Sequence, residues 1–457
     1  MSRVFVVAGL GFGDEGKGAT VDWLVRRHGG ALVVRYNGGP QAAHFVVAPD
    51  GATHCFSQLG SGMFVTGAET LLSRFMLVDP LALELEAAAI AERGVRDALA
   101  RLWIERECLI VTPFHKILNR MLERSRGEAR HGSCGRGVGQ ALADAGDAPA
   151  AALLAGDLSD RATLRRKLRA LWHAKLEDAA RLAARHAGAA GLDELLAGLQ
   201  RPDYVEALAD AYERFAAGPV HLVDRRWFAG ALARWHTVVF EGAQGALLDA
   251  HHGFLPHVTA TSTTLDAAFE LLRDAGGSGA HEIHALGVLR AYATRHGAGP
   301  FVTEDDELAA RMPACDNGAN EWQGRFRVGW FDLVATRYAL DIAGPIGALA
   351  ITNVDRLAGL RTAKICTAYA CGGAPESDLC ECPTPGRISR LVARPQPAGE
   401  RQMRLTALLR SCTPIYDEVA LDPAAYIARI ERELNRPVAL VATGPGAQQR
   451  SWIIRRQ

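Results

Sequence analysis

The chain has 457 residues and a mass of 49.0 kDa, and its 51 Lys+Arg against 51 Asp+Glu give a formal net charge of zero. With 49% hydrophobic residues it can bury a large core, which excludes a disordered polypeptide. The charge balance argues against a broad basic surface that grips nucleic acid and leaves room only for local basic clusters.

In chain order, MSRVFVVAGLGFG has one early charge, Arg3, and lacks the apolar core and cleavage site of a secretory signal. Val4–Ala8 reads as a buried parallel strand, Gly9–Gly18 as a glycine-rich loop, Thr20–Arg27 as a helix and Leu32–Tyr36 as a second strand. That order is the βαβ grammar of a nucleotide-binding α/β fold. Pro80–Arg93 reads as a helix, Leu109–Thr112 as a strand and Gly132–Gly139 as a second glycine-rich loop. From Leu142 to about Arg234 the composition turns alanine-rich, with Leu164, Leu168, Leu171 and Leu182 at helical spacing and Ser159 or Asp160 as N-cap. Strands are expected at Thr237–Phe240, Ile283–Leu289, Ala348–Ile351 and Val438–Val441, and helices at Phe331–Ile342 and Pro423–Asn435.

The expected fold class is therefore α/β. It has a central, mostly parallel sheet flanked by helices, a P-loop-like nucleotide site and an inserted helical subdomain. Residues 1–457 form one domain, with the helical subdomain at 142–235 and an irregular segment rich in Gly, Pro and Cys at 371–401. No apolar run approaches the roughly 18 residues of a membrane span. Nine scattered Cys favour reduced thiols and the cytoplasm. Cys366, Cys371, Cys380 and Cys382 invite a zinc reading, but C-x₄-C-x₈-C-x-C is not a finger spacing, and free thiols are expected.

Gly11-Phe-Gly-Asp-Glu-Gly-Lys-Gly18 nearly fits G-x-x-x-x-G-K-[ST]. Inward N–H groups, the following helix N-terminus and Lys17 suit phosphate. Gly18 lacks the hydroxyl that normally helps to hold Mg²⁺, and the adjacent acids Asp14 and Glu15 are odd in an anion site. Either Asp14 binds a metal or takes a proton, or both acids decorate a solvated turn; the flanking strand and helix favour function. His44, in GGPQAAH after the second strand, is placed to donate to a phosphate, although alone it reads equally as a structural histidine.

Together GFGDEGKG, RYNGGPQAAH, FEGAQGALLDAHHGFLPHVTATSTT, GVLRAYATRHGAGPFVTE and the closing VATGPG resemble the adenylosuccinate synthetase family over most of the chain. The resemblance implies a GTP- and Mg²⁺-dependent ligase that joins IMP to L-aspartate through a 6-phosphoryl intermediate, as a cytoplasmic homodimer with no nucleic-acid or membrane partner. It implies that Asp14 is the general base and His44 the acid, with Lys17 and Gln244 also catalytic. It assigns GTP to Gly13, Glu15, Gly16, Lys17, Gly18, Ala19, Arg327, Asn353, Asp355, Ala442, Thr443 and Gly444. It assigns IMP to Asp14, Lys17, Gln41, His44, Cys134, Gln244, Thr259 and Arg325, and aspartate to Arg325 and Arg327. One Mg²⁺ per subunit would take Asp14 and the Ala43 carbonyl. An acid in the loop is then offset by the metal.

Four departures from the family pattern stand out. Pro40, Gln41 and Ala43 replace the usual residues before the histidine, and Cys134 replaces a phosphate-binding Thr beside Ser133. No basic residue stands between Gln140 and Arg161, where the family has a cross-subunit Arg, and the aspartate loop around WQGRFRVG is shortened and lacks its two Thr. Loss of one charge-assisted bond would cost roughly 1.5–3 kcal/mol, for which Arg130 or Arg136 is the nearest replacement. These departures keep alive a paralogue that acts on a different purine or amine. A non-catalytic nucleotide sensor fits less well, because it needs no acid and base.

Overall fold

The computed structural model describes all residues except 1, 128–129, 277–280, 313–321, 323, 373–375, 396–398 and 454–457. Ten strands form the central sheet: β1 (Arg3–Gly9), β2 (Leu32–Arg35), β3 (Glu69–Leu72), β4 (Leu102–Glu105), β5 (His221–Val223), β6 (Thr237–Glu241), β7 (Glu282–Arg290), β8 (Ala348–Thr352), β9 (Val438–Ala442) and β10 (Arg450–Trp452). Their order is β10-β9-β8-β7-β1-β6-β2-β3-β4-β5, all neighbours parallel except β9 with β10. β1 lies inside the sheet and is covered on both faces. Val4, Val6 and Ala8 join one core, while Phe5 and Val7 join another with Val21, Leu24 and Val25 of α1 (Lys17–Arg27). That two-sided burial is why β1 reads as a continuous apolar run.

A third core packs Leu164, Leu168, Leu208 and Tyr212 of the alanine-rich region against Phe114 and Leu118. Its helices are Val138–Asp147, Arg161–Arg185, Leu192–Leu199, Tyr204–Ala217 and Arg225–Arg234. Asp160 caps the longest by accepting from the N–H groups of Ala162 and Thr163. This stretch is not purely helical, because β5 leaves it to form the sheet edge.

Other boundaries shift. The helix expected from Phe331 starts at Leu333, because Phe331–Asp332 pairs with strand Thr362–Ala370 and Asp332 caps the helix. The strand expected at Leu109–Thr112 ends at Ile110, since Thr112 caps the next helix. The 371–401 segment is less irregular than expected: it holds the two-residue strands Cys380–Glu381, Arg387–Ile388 and Arg390–Leu391. Among the described residues, no group of three or more His, Cys, Asp or Glu is arranged to hold a metal. Cys380 and Cys382 lie 3.7 Å apart, and Cys366 turns away to the Ala368 carbonyl.

Candidate active site

The loop after β1 opens at the carboxyl end of the sheet, where open α/β folds collect ligands. Gly13 and Gly16 hold positive φ of 109° and 88°, and Gly16 caps α1. Glu15 is no surface acid. Its buried carboxylate accepts the Gly13 N–H at 2.6 Å and meets Lys17 Nζ at 2.6 Å, and that ammonium also donates to the Gly13 carbonyl at 2.8 Å. The charge of Lys17 is thus set beneath the phosphate cradle, with Glu15 bracing the loop from inside.

Gly18 explains the missing P-loop hydroxyl. A Cβ there would lie 2.5 Å from the Cβ of His44 and 2.9 Å from Ser61 Oγ. The helix start and the His44 strand pack too closely for Ser or Thr.

A cavity of about 890 Å³ brings the sequence candidates together: Gly13, Asp14, Gly16, Ala19, Gln41, Ala43, His44, Gln244, Asn353, Asp355 and Gly444 all line it. A second cavity of about 270 Å³ carries Cys134 and Thr259, and shares Phe12, Gln41, Gln244, Leu248 and His296 with the first. The two make one cleft. Ala442 is buried at the end of β9, and Thr443 bonds the Gln449 carbonyl.

Asp14 is fixed from behind. Arg290 Nε–H, from the end of β7, donates to the Asp14 carbonyl, and Thr352 Oγ donates to the Glu15 carbonyl at 2.7 Å. The Asp14 side chain is 24% exposed, and among the described residues its ion-pair neighbour is His296 Nε2 at 3.5 Å. A partly exposed carboxylate that lines the same roomy cleft as Ala43 offers hard-oxygen donors of the kind that suit Mg²⁺, an ion that keeps several waters.

His44 opens its own strand, His44–Val47, rather than closing β2. Its Nδ1 meets Glu241 Oε1 at 2.5 Å, and Glu241 also accepts from the Ser61 N–H at 3.0 Å and from Ser61 Oγ. Burial opposes ionisation of Glu241, but His44 and Arg35 outweigh it and hold the carboxyl at about 2. Burial pushes His44 below its ordinary value, and Glu241 pulls the other way. An ionised Glu241 fixes Nδ1–H as a donor and leaves Nε2 for the cleft. A polyphosphate arriving there favours the protonated ring. Sequence reasoning missed Glu241, although a lone acid ending the apolar run TVVFE just before GAQG was the available signal.

Gln244 and Asn353 are non-glycine residues at φ 58° and 59°, a region that costs such residues roughly 1–3 kcal/mol. Both line the cleft, and among the described residues Gln244 Oε1 is buried without a hydrogen-bond partner, as is Asp355 Oδ1. Strained backbone and unpaired buried acceptors converge on one space.

The other end of the cleft differs. Glu123 accepts the N–H groups of Gly132 and Ser133 and pairs with Arg126. Burial raises the Cys134 thiol above its usual range. Arg126 and Arg295 are the arginines on this wall, whereas Arg130 lines a separate cavity and Arg136 is exposed. Arg295 is buried on carbonyls, and burial with Arg327 and Arg410 nearby lowers it to about 9. Arg325 and Arg327 both reach Glu304, outside the residues that line the two cavities. Part of the shortened loop, 313–321 and 323, lies outside the described residues.

A mostly parallel sheet, a P-loop-like glycine turn at its carboxyl end and a cleft lined by Asp14 and His44 define an α/β enzyme of the nucleotide-dependent class. The family described as adenylosuccinate synthetase matches residues 6–451. Adenylosuccinate synthetase of Neisseria gonorrhoeae is 32% identical over 98% of both chains, and that of Halorhodospira halophila is 34% identical over 97% of both. Among solved structures, fully ligated adenylosuccinate synthetase from Plasmodium falciparum superposes with a TM-score of 0.74 at 20% identity, covering 98% of this chain and 99% of that one. Succinoaminodeoxyadenylate synthetase of cyanophage S-2L, bound to dGMP and dATP, shares the fold at a TM-score of 0.59 and 16% identity over 99% and 95% of the two chains. The chain belongs to the adenylosuccinate synthetase family, GTP-dependent ligases that join IMP to L-aspartate in purine biosynthesis. These findings lend no support to a paralogue with another purine or amine.

Proposed function

We propose that the cleft carries out this ligation with Asp14 and His44 as base and acid. The observation behind the proposal is the meeting of Asp14, His44, Gln244 and Asp355 in one cavity. The Asp14 carboxylate takes the N1 proton of IMP, with the Gln244 amide beside the purine. The 6-oxygen then attacks the γ-phosphorus of GTP, and GDP departs. Lys17 and the Nε2–H of His44 offset the charge on the transferring phosphoryl group, for positioning and charge stabilisation carry most of such catalysis. The aspartate amine next attacks C6 and inorganic phosphate leaves. Asp355 accepts from guanine N1–H and the 2-amino group, which adenine does not offer.

Asp14 and the Ala43 carbonyl would hold Mg²⁺, which when bound supplies charge neutralisation at the phosphates. Gln41, Cys134 and Thr259, which line one cavity, would contact IMP, and Arg325 with Arg327 would take the aspartate carboxylates after leaving Glu304. The proposal extends to a cytoplasmic homodimer, which sedimentation and cell fractionation test. The deciding assay is phosphate release with GTP, Mg²⁺, IMP and L-aspartate, with formation of adenylosuccinate. No release at saturating substrates overturns the reading.

A further inference from the structure

The elements that carry the catalytic groups run on to a second cavity, of about 610 Å³, which shares no lining residue with the active-site cleft. α1 begins at Lys17, and Arg26 near its far end, roughly 14 Å away at about 1.5 Å per residue, is on the cavity wall. The strand that starts at His44 ends by delivering Ala48 and Asp50 to the same wall. Ser61, which holds Glu241, is followed by Met63 and Phe64 there.

The lining holds four arginines, 26, 93, 96 and 101, against two aspartates, 50 and 97, an excess of two positive charges. Arg26 is paired with Asp22 at 2.7 Å and Arg101 with Asp97 at 2.9 Å, so both are committed to the fold. Arg93 donates through Nε to the Thr53 carbonyl at 2.6 Å and through Nη1 to the Ala89 carbonyl, which leaves Nη2 for a ligand, and its nearest carboxylate, the largely exposed Glu92, is 4.0 Å away. Arg96 is exposed and has no hydrogen bond or ion pair among the described residues. Arg93 and Arg96 both line this cavity of nucleotide size, together with Met63, Phe64 and Val95, so its wall offers cationic donors for phosphate and an apolar flank.

We propose that this cavity binds a small phosphate-bearing molecule through Arg93 and Arg96, and that its occupancy is felt at His44 through the strand and loop the two sites share. The binding claim is independent of the reaction assigned above; only the rate readout rests on that reading.

The test uses the full chain with GDP and IMP saturating, so that the active-site cleft is filled. Inorganic phosphate and AMP are titrated separately by calorimetry into the wild type, Arg96→Ala and Arg93→Ala/Arg96→Ala, with thermal melts confirming the fold. At least one ligand should bind saturably, and affinity should fall several-fold in the single variant and roughly tenfold or more in the double. A clear preference for AMP identifies a nucleotide, and equal binding identifies the free ion. Under turnover conditions that ligand should change the wild-type phosphate-release rate by about twofold or more and leave the double variant's rate unmoved. No saturable binding up to about 10 mM, or equal affinity in all three proteins, overturns the site. Binding with an unchanged rate overturns the coupling.

Discussion

At the loop end of the cleft, three of the proposed catalytic groups are each held by a second side chain before any substrate is considered. Glu241 holds His44, Glu15 holds Lys17, and Arg290 holds the backbone of Asp14. At the proposed substrate end, and beside the cleft at Arg325 and Arg327, the polar groups are paired with one another. Arg325 and Arg327 both reach Glu304, and Arg126 is on Glu123. The first arrangement is preorganised for charge that develops during reaction. The second has to exchange partners when an anion binds, so part of the binding energy goes into that exchange. Substitutions at the loop end should therefore act on kcat, and those at the substrate end on KM.

The largest effect is expected from Asp14→Asn. It removes the proposed base and a metal donor while keeping size and the backbone anchor. Turnover should fall by roughly 10³-fold or more with an unchanged melting temperature. A rate near normal would break the comparison at its strongest point.

Next comes His44→Ala, with a loss of about 10²-fold in kcat. Glu241→Gln should cost about tenfold, since the imidazole stays but loses its fixed tautomer. The same variant tests the electrostatics. The carboxyl sits near 2 in the fold against an ordinary 4.5, so its contribution to stability is present above about 4.5 and is lost as pH falls toward about 2. Melting curves of wild type and Glu241→Gln from pH 6 downward should converge, and a gap that does not narrow would refute the depressed carboxyl.

These two variants also mark what the sequence discloses. Asp14 and His44 stood out because a loop motif and a strand end point to ligand sites, Gln244 came only through the family resemblance, and the parallel sheet was legible because its strands, buried on both faces, read as apolar runs. Glu241, Arg290 and Ser61 did not stand out. Each acts through a contact between residues distant in sequence, such as the 197 positions that separate His44 from Glu241. Gly18 looked like a damaged P-loop, and only its approach to His44 shows why a side chain is excluded. Edge strand β5 was hidden for another reason: three half-buried residues, HLV, carry too little pattern to interrupt a helical composition.

The proposed guanine selection belongs to the loop end. Asp355 offers a buried acceptor with no partner of its own. Facing adenine N1 it would stay unpaired at a cost of about 1–3 kcal/mol, so GTP should be preferred to ATP by about tenfold or more. Asp355→Asn should flatten that ratio in steady-state assays. Equal use of both nucleotides by the wild type would remove Asp355 from base reading.

At the substrate end, Arg327→Lys should raise the aspartate KM by about tenfold and leave kcat and the GTP KM nearly unchanged, because an ammonium cannot copy the bidentate guanidinium. A fall in kcat with a normal KM would mean that this end, too, is built for the transition state.

The smallest effect concerns strain. Gln244 is held at φ 58°, where a non-glycine residue pays roughly 1–2 kcal/mol, while glycine pays about 0.5–1 kcal/mol in chain entropy instead. Gln244→Gly should therefore be neutral to slightly stabilising, with the melting temperature up by about 1–2 °C, even though a half-buried side chain is deleted. The deletion is inexpensive because the Gln244 side chain lines an open cleft and its Oε1 has no partner to orphan. The same change should lower kcat, since the amide that flanks the purine is gone. Stability rising as activity falls is what a preorganised end predicts: strain kept in the fold for the sake of geometry. A drop in melting temperature of several degrees would instead show that Gln244 supports the fold, and that the loop end owes its rigidity to ordinary packing.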